Sequence, residues 1–135
     1  MKPEEIRAVS AVVLHDGRFL LVRRGRPPAE GFYAFPGGRI EEGETAEQAV
    51  IREVREETGL VASSPRLLRE ISLPVPEKDM IFRLSVFRAT VRSGEPTAGD
   101  DASEAGWFAL EQIRLLPITN STLDIVEELS MAGSR

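Results

Sequence analysis

The chain has 135 residues, no cysteine, a single histidine and a formal net charge of −5. That length suits one domain, 1–135, able to bury a core without cross-links, and the missing thiols exclude a disulfide framework, a thiolate zinc site and a cysteine nucleophile. The acidic balance argues against a binder of nucleic acid polymers, which spreads lysine and arginine over one face, so an anionic ligand has to be met through bound cations and a few placed arginines.

Met1-Lys2-Pro3-Glu4-Glu5 lacks the apolar stretch expected of a signal peptide, and no later run approaches the length needed to span a bilayer. The expectation is a cytoplasmic protein with no membrane partner. Residues 6–14 and 19–22 are aliphatic and β-branched runs separated by His15-Asp16-Gly17-Arg18, the signature of a hairpin with an Asp-Gly turn. His15 is therefore read as a hairpin-end residue. Arg23, Arg24 and Arg26 follow in a loop broken by glycine and proline. Their guanidinium forks match phosphate oxygens, and a solvated basic loop fits the same residues.

Phe32-Tyr33-Ala34-Phe35 predicts a short strand, with Tyr33 and Phe35 either in the core or stacked on a base. Pro36-Gly37-Gly38 predicts a turn. Residues 45–58 predict a helix, with Thr45 as N-cap, Gln48 completing a capping box and Gly59 as the stop. Residues 66–73 and 81–91 read as strands joined by an irregular loop at Pro74-Val75-Pro76. A polar loop over 93–103, a short strand over 106–110 and a closing helix over 121–131 complete the chain. Elements in this order predict an α/β fold, a mixed sheet covered by helices on both faces.

The helix over 45–58 carries acids on its inward side. At about 100° per residue, Glu53 and Glu57 fall within roughly 60° of Ala46 and Val50, which should pack on the sheet. Two carboxylates about 6 Å apart in a partly buried site repel by roughly 3 kcal/mol at an effective dielectric near 20. A divalent cation reverses that sign. Carboxylate oxygens are hard ligands suited to Mg²⁺ or Mn²⁺, and Mg²⁺ shares its shell with waters and substrate phosphates. A glutamate-rich helix that is simply solvated is the alternative.

Gly38, five residues, Glu44, seven residues, and then Arg52-Glu53-Val54-Arg55-Glu56-Glu57-Thr58-Gly59-Leu60 match every fixed position of the Nudix box, here 38–60. With the preceding hairpin, Phe35-Pro36-Gly37-Gly38 and Trp107-Phe108, the chain resembles the Nudix hydrolase family over most of its length. The resemblance implies a Nudix-type α/β/α sandwich with a mixed β-sheet between helices. It implies a Mg²⁺ (or Mn²⁺) cofactor of two or more ions at Glu53, Glu56, Glu57 and Gly38, with Arg52 bracing the carboxylates. The implied reaction is attack of a metal-activated water on a phosphorus of a diphosphate. The general base is open between Glu53 and Glu104, which stands above its loop neighbours Asp100 and Asp101 for its place before Trp107. Glu44, beside the positive end of the helix dipole, is expected to be structural.

For the substrate, Pro76 lies sixteen residues beyond Leu60, similar to family members acting on ADP-ribose, so ADP-ribose or a related nucleoside diphosphate sugar is favoured. The alternative is a nucleoside triphosphate pyrophosphohydrolase that sanitises oxidised nucleotides. Leu116-Pro117-Ile118-Thr119-Asn120 resembles the segment in which that branch reads a purine with an asparagine amide, which donates and accepts at once. Asn120 also suits a helix cap. A non-catalytic nucleotide-sensing module is disfavoured by the complete box. Monomer and homodimer both remain open.

Overall fold

In the computed structural model, residues 2–27, 29–92 and 94–133 are described. Pro28 and Ser93, in two of the expected loops, lie outside that set. β1 (Glu4–His15) and β2 (Arg18–Arg24) are joined through Asp16 and Gly17 at φ 51° and 74°, the pair of positive angles that a two-residue hairpin turn requires. β3 (Tyr33–Ala34) and β4 (Gly37–Arg39) follow, then α1 (Ala46–Thr58), β5 (Ala62–Val75), a 3₁₀ turn at Pro76–Lys78 and β6 (Met80–Val91). β7 (Ala102–Phe108), α2 (Leu110–Ile113) and α3 (Asn120–Gly133) complete the chain.

The seven strands form a sheet in the order β3-β2-β1-β6-β5, with β4 also on β1 and β7 also on β2. β1 and β6 run parallel, and every other pair is antiparallel. Because side chains alternate across a strand, β1 feeds two cores. Val9, Ala11 and Val13 pack with Ala49, Val50 and Val54 of α1. Val12 packs with Ile113 of α2 and Ile125 and Val126 of α3. The result is the expected α/β/α sandwich with a mixed sheet as its middle layer.

Three local expectations change. Gly37 and Gly38 form a strand rather than a turn, because β4 lies so close to β1 that a Cβ on Gly37 would strike the Val9 carbonyl. Pro74 and Val75 continue β5 instead of breaking it. β5 is an edge strand, where a residue lacking an N–H is tolerated. α2 went unforeseen because four residues show no periodicity; the Ala109 N–H donates to Gln112 Oε1 at 2.8 Å and starts it. Among the described residues, no helix is long and apolar enough to cross a membrane.

Candidate active site

Both ends of α1 are tied. Thr45 Oγ1 accepts from the Gln48 N–H at 3.1 Å, Gln48 Oε1 accepts from the Thr45 N–H at 2.9 Å, and Gly59, at φ 76°, donates its N–H to the Arg55 carbonyl. Fixed ends fix the rotation of the helix, which buries Glu53 and Glu57 to 7% and 9% exposure while Glu56 stays exposed. Gly38 of β4 lies against Glu53, and any Cβ there would run into that carboxylate. Glu57 accepts from the Gly37 N–H at 3.3 Å. A bare strand backbone is thus the wall that these two side chains need.

Burial pushes the Glu57 carboxyl up to about 8, and the charge of Glu53 adds to the effect. Burial likewise pushes Glu53 up to about 7, against the lowering influence of Arg52. The main cause is the exclusion of water, and the neighbouring like charges add to it. Positive charge placed between them would favour the ionised carboxylates and offset the shift.

Arg52 organises the exposed side. Its Nε and Nη2 grip Glu44 at 2.7 and 3.0 Å, its Nη1 reaches Glu56 at 3.0 Å and Glu53 at 3.5 Å, and its Nη2 also donates to the Arg39 carbonyl at 2.9 Å. The Arg52 hydrogen bond holds the Glu44 carboxyl below the usual range, so Glu44 is occupied as a brace.

The segment after β6 docks onto the open end of α1. Thr97 N–H donates to the Thr58 carbonyl at 2.8 Å and Gly99 N–H to the Glu57 carbonyl at 3.2 Å, satisfying acceptors that a helix C-terminus leaves unpaired. Trp107 Nε1 holds the Gly94 carbonyl at 2.9 Å. Asp100, at φ 54°, is thereby carried to the glutamates, and one oxygen each of Glu53, Glu56 and Asp100 lies within 4.8 Å of the others. Three hard oxygens at that spacing suit Mg²⁺ or Mn²⁺. Glu57 stands just behind this group.

Glu104 points to different company. The buried Tyr33 hydroxyl donates to its Oε2, and burial, then this bond, raises the Tyr33 hydroxyl above its ordinary value. The loop acid brought to the glutamates is therefore Asp100 and not Glu104, the one its place before Trp107 favours. Its signal was the adjacent Gly99, where a Cβ would sit 2.5 Å from the Glu56 carbonyl.

Tyr33 and Phe35 lie in the core beside α3, Tyr33 meeting Phe108 edge-on at 5.4 Å. Packing, rather than an open stacking face, accounts for both. Arg23 donates to the Gly31 carbonyl at 3.2 Å, Arg24 ends β2 opposite Ala102, and Arg26 pairs with Asp101 at 3.0 Å. Asn120 opens α3 and is exposed. The cap position belongs instead to Thr119, whose carbonyl accepts from the Leu123 N–H at 3.0 Å. The same stretch is sewn to β3, as the Tyr33 N–H donates to the Pro117 carbonyl and the Thr119 N–H to the Tyr33 carbonyl at 2.7 and 3.1 Å. His15 packs against Trp107 at 5.8 Å. An open hollow of about 580 Å³ flanks the outer side of α1, lined by Gln48, Ile51, Arg52, Arg55 and Glu56.

A layered sandwich with a carboxylate-bearing helix walled by a glycine strand defines a class, and the NUDIX domain family model matches residues 4–129. The chain belongs to the NUDIX family. It is similar to the ADP-ribose pyrophosphatase of Methanocaldococcus jannaschii, with 42% identity over 106 residues that cover 78% of this chain and 63% of that enzyme. The chain thus spans a little under two thirds of that relative's length. It is also similar to the 8-oxo-dGTP diphosphatase of Proteus vulgaris, 33% identical over 92 residues, covering 68% of this chain and 80% of the other. Among solved structures, the MutT NUDIX hydrolase from Burkholderia pseudomallei superposes with a TM-score of 0.81 at 31% identity, covering 92% of this chain and 97% of that one.

Proposed function

We propose that this chain is a dication-dependent hydrolase that cleaves the diphosphate linkage of a nucleoside diphosphate derivative, with ADP-ribose or a related nucleotide sugar favoured. The observation that carries the reading is the buried Glu53–Glu57 pair beside exposed Glu56 and Asp100, an arrangement that repels itself until a cation is present. Glu53, Glu56 and Asp100 would hold Mg²⁺ or Mn²⁺, with Glu57 behind them. The ion would supply an activated water and charge neutralisation at the phosphate oxygens. Arg52 keeps Glu53 and Glu56 turned toward the site, and Gly38 leaves room for the Glu53 carboxylate. Of the two candidate bases, Glu53 stands within the cluster, whereas Glu104 holds the Tyr33 hydroxyl. Glu53 is the better assignment.

The identity shared with the ADP-ribose pyrophosphatase supports the substrate. The test is direct. Purified protein with Mg²⁺ and ADP-ribose should release AMP and ribose 5-phosphate, and chelation should stop it. A second reading, a nucleoside triphosphate pyrophosphohydrolase, is supported by the resemblance to the 8-oxo-dGTP diphosphatase and by exposed Asn120 beside β3. That enzyme would instead release pyrophosphate and a nucleoside monophosphate. Cleavage of neither compound overturns both.

A further inference from the structure

Resting on the hydrolase reading above, we infer that Phe32, and neither Tyr33 nor Phe35, is the platform on which the substrate's base stacks. The nucleoside would cross the end of β2 toward the acidic cluster. Among the described residues, Phe32 is the one exposed aromatic side chain, at 42%, against 9% for Tyr33 and 6% for Phe35. An apolar ring left at the surface forgoes the burial that stabilises its neighbours. A planar ligand laid on it recovers that contact.

Position makes Phe32 specific to this site. The Arg24 N–H donates to the Phe32 carbonyl at 2.8 Å, extending the register in which Val22 faces Ala34 and Arg23 faces Tyr33. Side chains alternate along a strand, so Phe32 lies on the face opposite to that of Tyr33. Tyr33 belongs to the core beside α2 and α3. Phe32 consequently lies on the α1 side, the side of Glu53 and Glu56.

The distance also fits. Arg24 pairs on its other flank with Ala102, and the Gly25 N–H donates to the Asp101 carbonyl at 2.8 Å. With neighbouring strands about 4.8 Å apart, Phe32 stands roughly 10 Å from Ala102, and Asp100 lies two residues before Ala102 in the chain. That separation is comparable to the reach of a nucleoside from its 5′-phosphate to its base. Beside Asp100 lies a groove of about 170 Å³ lined by Gly25, Arg26 and residues 100–103, and Gly25 follows the Arg24 that pairs with Phe32.

The platform is also held in place. The Gly31 N–H donates to the Arg24 carbonyl at 2.8 Å and the Phe32 N–H to the Ala29 carbonyl at 3.0 Å. A ring presented by a hydrogen-bonded turn loses less freedom on binding than one on a loose loop.

The experiment compares wild type, Phe32→Ala and Phe32→Trp in the full chain with Mg²⁺, after confirming equal melting temperatures. For ADP-ribose, Phe32→Ala should raise KM by about five- to a hundredfold, the range for losing one stacked base, and leave kcat within about twofold. Phe32→Trp should restore KM. The inhibition constant for AMP should rise in Phe32→Ala, while that for ribose 5-phosphate stays unchanged. An unchanged KM, no recovery with tryptophan, or an equal effect on both inhibitors overturns the assignment. If wild type cleaves neither ADP-ribose nor 8-oxo-dGTP, the hydrolase reading fails separately. Calorimetry of AMP binding to wild type and Phe32→Ala then still decides whether the ring receives a base.

Discussion

Glu53 and Glu57 are buried one helical turn apart, and each holds its proton more tightly in the folded chain than an unfolded chain would. Cation-free protein should therefore take up protons on folding between about pH 4.5 and about pH 8, and its stability should fall as pH rises through that window. Glu44, held down by Arg52, acts with the opposite sign at lower pH, its contribution being lost on acidification. Saturating Mg²⁺ should flatten the downward slope, because a bound dication replaces the protons. Melting temperature against pH, with and without Mg²⁺, checks this; a flat profile in chelator would mean the two charges are already compensated. Glu57→Gln should lower Mg²⁺-dependent kcat by about ten- to a hundredfold while leaving the far-ultraviolet circular dichroism unchanged. At this scale the box spacing already placed Glu53 and Glu57 on the packed side of the helix. What it could not supply was the facing of Tyr33 and Phe32, since alternation tells neighbours apart without saying which side carries the helix.

At the scale of elements, α1 was the most legible part of the chain because its cap, stop and period all coincide on 45–59. Thr45→Ala should cost about 1 kcal/mol by removing the hydroxyl that caps the helix, measurable by urea unfolding with an unchanged slope. Gly38→Ala is a different kind of change. It drives a methyl into the Glu53 carboxylate, so it should cost about 1–3 kcal/mol through overpacking and also weaken Mg²⁺ uptake, which calorimetry would reveal. The 97–100 segment was much less legible. Its anchors are the backbone carbonyls of Glu57 and Thr58, and main-chain partners leave little trace in side-chain identity. Asp100→Asn should weaken Mg²⁺ binding by about ten- to a hundredfold, whereas Asp101→Asn, which only loosens an exposed pair with Arg26, should change it little. Equal effects of the two substitutions would place the ion elsewhere.

For the molecule as a whole, the order of strands and helices announced a mixed sheet between helical layers, yet the pairing of β1 with β6 could not be read locally. Each β1 residue from Glu4 to Val13 meets a partner seventy-six positions later, as Glu4 meets Met80 and Val13 meets Ala89. Contacts that distant require a large loop to close before they repay it. A chain leaving the ribosome therefore completes its entire acidic motif well before the strand that anchors the sheet beneath it exists. Until β6 is made, that helix offers apolar and anionic groups to whatever is nearby, with the Phe87 and Ala89 part of its floor missing. A fragment ending at Val75 would carry every fixed residue of the 38–60 box and should nonetheless stay unfolded.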